Sequence, residues 1–375
     1  MLDNSKLYRL PWTKHQNPNG WIEVTTYCQL ACPGCYRGLD QKTPPRIHSK
    51  VSDLKKQIDW QIKNRAIQVL SIAGGEPLIY PELNEIVSYS HKKGLNVRIL
   101  TNGVALTKKR LTELRDKGAN EIVIHISEYQ NRPSSKLGKN TFEERENYCQ
   151  MFREVKGIEL DFIMTVNQKN YKGLHKIIKF YKKNSDIISH TFFTLFRDIF
   201  FENPEYESKK SYVGLEKLAK QITKSYRIEP CGYLGKTLNP NGISWLFYGA
   251  IFHGQEIIGY VDNQLLEKLH KLYYKEGKYV FPVAENRINI LKTVTLLTNH
   301  SARNIILNYL KRIIRKPKNL FEPLRCQIID LINTPTLTPK GWDLCNGCPD
   351  AILYKNKLVP SCLLERIKLG ENITL

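Results

Sequence analysis

The chain has 375 residues, 41% of them hydrophobic, with 57 Lys and Arg against 36 Asp and Glu, a formal net charge of +21. That length and composition can bury a full core, which excludes a disordered or low-complexity chain. No run of eighteen apolar residues reads as a membrane span, and Asp3, Lys6 and Arg9 interrupt the N-terminus where a secretion signal would be apolar. The positive charge is spread through a sequence rich in lysine, asparagine and isoleucine, the pattern of a solvated surface, so no nucleic-acid partner is expected from it. Nine cysteines at short spacings without a signal peptide argue for metal ligation in a reducing cytoplasm rather than disulfides.

In chain order, residues 21–26 read as a strand feeding a cysteine loop, 51–64 as a helix and 66–72 as a second strand. A helix over 81–93 stops at Gly94, and strands over 95–100 and 121–126 flank a helix over 107–117 that ends at Gly118. Strands over 158–166 and 187–196, with a helix over 171–183 between them, complete six units. Alternation at this spacing predicts a parallel sheet of the α/β class, an open partial (β/α)6 barrel of TIM type with its site at the strand C-terminal ends. The expected organisation is a lead-in over 1–19, the barrel over 20–196, a mixed and helical region over 197–325 on the substrate side, and a cysteine-rich extension over 326–375.

Cys28, Cys32 and Cys35 form a CxxxCxxC run after the first strand, and Gly74, Gly75, Glu76 and Pro77 follow the second. Three thiolates on one loop offer one ligand fewer than a closed four-cysteine site. Half of a zinc ribbon or a redox pair is the alternative for the cysteines, and an ordinary βα turn for the glycines. Taken together, with Tyr36 just after the third cysteine, these motifs resemble the radical S-adenosylmethionine (radical SAM) superfamily.

The resemblance implies a 4Fe-4S cluster on Cys28, Cys32 and Cys35 whose fourth iron binds the methionine part of SAM. An external reductant such as flavodoxin or ferredoxin then drives cleavage to a 5'-deoxyadenosyl radical. It further implies that Gly74, Gly75, Glu76 and Pro77 hold the SAM amino group, with Tyr36, Asn102, His125 and Ser127 as further cofactor contacts. One departure stands out: Gly34 occupies the position before the third cysteine where this family often carries a bulky residue.

Past residue 196, the pieces around Cys231 to Gly235 and Trp245 to Gly249 set glycines beside aromatics. They fit a small β-unit packed over the barrel better than a pocket lining. Cys149 and Cys231 stand alone and read as buried fillers. An apolar helical stretch over 288–314, with Ile290, Val294, Leu297, Ile305, Tyr309 and Ile313 on its faces, ends in Lys311, Arg312, Arg315, Lys316 and Lys318. A helical hairpin packed on the barrel explains it, with peripheral contact to an anionic membrane as the alternative.

Near the C-terminus, Cys326, Cys345, Cys348 and Cys362 complete a four-cysteine set for a second 4Fe-4S cluster or for zinc. With Gly341 ahead of Cys345, they resemble the SPASM or twitch extensions of radical SAM enzymes, though not the full SPASM spacing. The resemblance implies an enzyme acting on a peptide or small natural product. Lipid or isoprenoid carbon chemistry and a non-enzymatic iron-sulfur or zinc protein that binds nucleic acid are the alternatives.

Overall fold

The computed structural model describes residues 2–38, 45–128, 130–133, 140–197, 199, 212–272 and 298–375. Six strands, β2 (Asn19–Glu23), β3 (Val69–Ala73), β4 (Asn96–Thr101), β5 (Ala119–His125), β6 (Glu159–Val166) and β7 (Ile188–Leu195), lie side by side in sequence order. Each pairs parallel with the next. The helices Val51–Arg65, Leu83–Lys92, Lys108–Asp116, Thr141–Val155 and Leu174–Lys183 link them. This is the open six-unit barrel expected from the alternation of strands and helices.

Local chemistry sets the element ends. Thr107 accepts a hydrogen bond from the Arg110 amide as an N-cap, and Gly94 and Gly118 adopt left-handed φ of +80° and +98° just past their helices. The first strand ends earlier than expected because Thr25 and Thr26 turn to another partner. The Thr26 amide donates to the Ile47 carbonyl, and Thr25 bridges to His48. The stretch expected as one helix over 171–183 is split in two. Gln168–Tyr171, capped by Asn167 and Asn170, precedes Leu174–Lys183.

The sheet continues past the barrel. β11 (Leu324–Ile332) adds parallel to β7, and β9 (Ile243–His253) pairs antiparallel with β11. β8 (Gly232–Gly235) follows β9, β1 (Tyr8–Arg9) lies at the edge, and β10 (Glu256–Tyr260) forms a hairpin with β9. The aromatic pieces expected as a unit over the barrel instead extend its sheet. All eleven residues of β9 are buried, so the run has no solvent face to show an alternating pattern. The boundary expected at 325/326 falls inside β11, and β1 comes from the expected lead-in. The expected helix over 288–314 is described only from residue 298, as His300–Arg315, with Ile305 and Tyr309 buried and Ile313 partly buried. Ile290, Val294 and Leu297 lie outside the described residues.

Side chains inside the barrel form layers because parallel strands bring equivalent positions to one level. Arg98, Glu121, Asp161 and His190, each the third residue of its strand, form a polar floor. Leu100, Val123, Ile163 and Phe192, each the fifth, pack with Trp245 and Phe247 in an apolar layer. Above them lie the strand ends that carry the candidate site.

Candidate active site and cysteine centres

The loop after β2 carries Cys28, Cys32 and Cys35, none in a disulfide and all partly buried. The Cys35 amide donates to the Cys32 carbonyl at 3.1 Å, and the Gly38 amide to the Cys35 carbonyl at 2.7 Å. Cys28 Sγ accepts from the Leu30 amide at 3.4 Å and from Asn102 Nδ2 at 3.6 Å. Burial raises the Cys28 thiol and the Leu30 amide partly offsets it.

The Gly-Gly-Glu-Pro turn is interlocked with that loop. The Gly75 amide donates to the Thr25 carbonyl at 2.7 Å and the Glu76 amide to the Tyr27 carbonyl at 2.8 Å. A Cβ on Gly74 would lie 2.4 Å from the Thr25 oxygen and one on Gly75 2.2 Å from the Tyr27 oxygen, so only glycine allows this approach. Glu76 is fully buried. Its carboxylate accepts from the Leu78 amide (3.0 Å), Thr101 Oγ1 (2.5 Å) and the Asn102 amide (2.7 Å), while burial raises its pKa. The Glu76 side chain thus ties the turn to β4, leaving backbone as the part of this turn suited to meet a cofactor amine. Pro77 opens a short 3-10 helix.

The ends of β4 to β6 complete the rim. His125 Nε2 lies 3.1 Å from Thr165 Oγ1 and 3.2 Å from Ser127 Oγ, and Ser127 Oγ accepts from the Thr165 amide. Burial, with Arg132 and Arg145 nearby, pushes His125 down to about 4, so its imidazole is neutral at neutral pH. Asn102, His125 and Ser127 therefore gather where the sequence placed them. Asn167 and Asn170 are occupied as a helix cap. The sequence reading missed Arg132, fully buried, whose guanidinium donates to the carbonyls of Asn102 (2.8 Å) and His125 (3.2 Å) and pairs with Glu144. It comes from an irregular loop with no local pattern to mark it.

The C-terminal cysteines sit beside this centre. The thiols of Cys345 and Cys348 hydrogen-bond to each other, lowering Cys345 and raising Cys348, and Cys362 and Asp350 interact with both. Their turn docks on the chain start. Asn17 Nδ2 donates to the Gly347 carbonyl at 3.0 Å and the Arg65 guanidinium to the Cys348 carbonyl at 2.8 Å. Cys326 lies on β11 with its sulfur 3.7 Å from where a Gly249 Cβ would stand and with buried Cys231 as a neighbour. The structure thus gathers Cys345, Cys348 and Cys362 with Asp350, but Cys326 does not join them: it pairs with Ile251 near the end of β9, whereas Cys345 lies by Lys236 at the Ile243 end, so the expected four-cysteine set is reduced to three. Tyr36 links the two centres, being close to Cys35 on one side and to Cys362 and Asp350 on the other. Arg37 reinforces the link by pairing with Glu23 and, at 2.8 Å, with Glu365, all three buried.

The donor sets can be compared with the metals they would suit. A tetrahedral zinc with bonds of about 2.3 Å needs sulfurs roughly 3.8 Å apart. Among the described residues, the set of three or more ligand atoms within 4.8 Å of one another is Glu121, Asp161 and His190, so neither cysteine triad is drawn in that tightly.

Residues 22–181 match the family model of the radical SAM superfamily. The chain is similar to the AdoMet-dependent heme synthase of Methanosarcina barkeri (29% identity over 183 residues, 46% of this chain and 49% of that one). It is also similar to the PqqA peptide cyclase of Ruegeria pomeroyi (32% over 108 residues, 28% and 27%). The subtilosin biosynthesis protein AlbA of Bacillus subtilis matches at 28% over 160 residues (41% and 34%). Among solved structures, Streptococcus suis SuiB bound to S-adenosylmethionine aligns with a TM-score of 0.43 at 20% identity, covering 56% of this chain and 48% of that one. The chain spans half or less of the length of these relatives.

Proposed function

We propose that the chain is an enzyme that reductively cleaves S-adenosylmethionine and uses the resulting radical to abstract hydrogen from a peptide or small natural product. One observation carries the reading: the three-cysteine loop and the Gly-Gly-Glu-Pro turn, distant in sequence, are clamped together by backbone hydrogen bonds at the C-terminal rim of a barrel that matches the radical SAM family model. A 4Fe-4S cluster with bound SAM supplies one-electron cleavage of the sulfonium bond to a 5'-deoxyadenosyl radical, the electron coming from a flavodoxin- or ferredoxin-like donor.

The chain's own residues hold and orient. Cys28, Cys32 and Cys35 would hold the cluster with three protein ligands. Gly74, Gly75 and Pro77 present the turn backbone to the SAM amino group, and Glu76 fixes that turn through β4. Asn102, Ser127 and Tyr36 border the cofactor, and neutral His125 serves as a hydrogen-bonding group rather than a charge. Cys345, Cys348 and Cys362 would hold a second cluster, with Asp350 beside them and Cys326 too far along β11 to take part.

The names of two relatives, a peptide cyclase and a bacteriocin biosynthesis protein, favour a peptide substrate. The heme synthase keeps a small molecule in view. The test is anaerobic reconstitution, reduction with SAM and mass spectrometry. Production of 5'-deoxyadenosine that disappears in Cys28→Ala, Cys32→Ala and Cys35→Ala supports the reading; absence from iron-loaded wild type refutes it.

A surface feature favours a lipid-facing variant of the same chemistry. The helix His300–Arg315 and the turn after it expose Leu307, Leu310, Ile314 (79%), Leu320 and Phe321 (87%), bordered by Lys311, Arg315, Lys316 and Lys318. No Asp or Glu occurs from 298 to 321. Apolar side chains rimmed by cations fit an anionic membrane surface. No helix among the described residues is long and apolar enough to cross a membrane.

A further inference from the structure

The polar floor of the barrel lies four residues below the rim, roughly 13 Å along the strands, and no step proposed above uses it. Glu121, Asp161 and His190 each bring one ligand atom within 4.8 Å of the others. Their partners fix where those atoms point. Arg98 Nε donates to Glu121 Oε1 at 2.6 Å. Asp161 Oδ1 accepts from the His190 amide at 2.7 Å and from Ser189 Oγ at 2.8 Å; Ser189 Oγ also lies 2.7 Å from Glu159 Oε2. The Glu121 and Asp161 carboxyl groups also hydrogen-bond to each other.

Asp330, on β11, is 3% exposed and adds an independent sign. Its Oδ1 is buried without a hydrogen-bond partner, and its Oδ2 lies 2.9 Å from His190 Nε2 without the alignment of a hydrogen bond. Buried polar atoms are left in that condition rarely and at a cost.

We propose that Glu121, Asp161 and His190, with Asp330 beside them, bind a divalent transition-metal ion in the barrel floor. Three buried carboxyl groups, two of them hydrogen-bonded to each other, face one guanidinium, Arg98, and the His190 imidazole. A divalent cation would take the place of the proton that otherwise joins Glu121 and Asp161. Ligand atoms this close leave room for an ion rather than an organic group, and imidazole with carboxylates selects Mn2+, Fe2+ or Zn2+ over Ca2+. The ion would join β5, β6 and β7 to β11, tying the barrel to the sheet extension. The site is separate from both cysteine centres and stands whether or not the proposed reaction does.

The test uses cluster-loaded protein, stripped of loose metal on a chelating resin, then equilibrated anaerobically with Mn2+ and desalted. The wild type is expected to retain one equivalent of manganese, and Glu121→Gln and Asp161→Asn none, with cluster iron unchanged in all three. Asp330→Asn should weaken retention about tenfold. Should the variants fold poorly, the wild type alone decides, through a thermal midpoint that rises with Mn2+ and saturates at one equivalent. No retained manganese and no such rise, or equal retention in wild type and folded variants, overturns the site and leaves a carboxyl pair that shares a proton.

Discussion

At the scale of single residues, the rim is governed by side chains that act on backbone. Glu76 spends its carboxylate on three donors from the turn and β4. Glu76→Gln turns one acceptor into a donor facing those groups. It is expected to cost about 1–3 kcal/mol, read by urea unfolding, with weaker SAM binding by calorimetry. His125 has a definite pH signature. Its folded pKa of about 4 lies below the unfolded value near 6.5, so the unfolded chain binds a proton first as pH falls. Its contribution is whole above pH 6.5 and is lost toward pH 4, roughly 2 kcal/mol between pH 7 and pH 5. His125→Asn should flatten that part of the stability-against-pH curve; an unchanged slope would show that the titration belongs elsewhere. Gly34, a departure from the pattern the motifs resemble, also gains an account. A Cβ there would lie 2.3 Å from the Phe196 ring, so an aromatic from the end of β7 fills the space beside the cysteine loop.

Elements were legible where their signal was local. Caps and C-terminal glycines marked the helices, β-branched runs marked β3 to β7, and the two motifs fell on consecutive strand ends because their spacing is fixed within one βα unit. What could not be read depends on distant partners. β9 is buried on both faces, and β11 begins within a stretch expected to divide two regions. The floor draws one residue from each of several strands, each unremarkable in its own segment. The join between the cysteine loop and the C-terminal segment is likewise long-range. Arg37, buried between Glu23 and Glu365, holds it, and burial lowers its guanidinium to about 10. Arg37→Met leaves buried Glu23 without its cation and Glu365 with Lys368 alone, and is expected to cost about 3–5 kcal/mol. Urea unfolding measures the loss, and the iron content of both centres should fall together; a change below about 1 kcal/mol would show that the join does not depend on this triad.

For the whole molecule, two cysteine triads lie at neighbouring positions with Tyr36 between them; under the proposed function, metal centres at both would suit passing electrons toward the first. The basic, apolar helix end gives a further expectation at this scale. The protein should sediment with phosphatidylglycerol vesicles and not with phosphatidylcholine vesicles, and Phe321→Glu with Ile314→Glu should abolish the difference. Equal sedimentation with both, or a dimer in light scattering that the same variants dissolve, would assign the patch to another partner.

The most direct test of the central claim is electron paramagnetic resonance of the reduced protein with and without SAM, in the Cys345/Cys348/Cys362 triple alanine variant, where the first centre stands alone. A reduced 4Fe-4S signal that shifts when SAM is added, and is lost on further replacing Cys28, Cys32 and Cys35, is the predicted result, because only an iron without a protein ligand can take the cofactor. A signal indifferent to SAM would contradict an open-iron centre at these three cysteines.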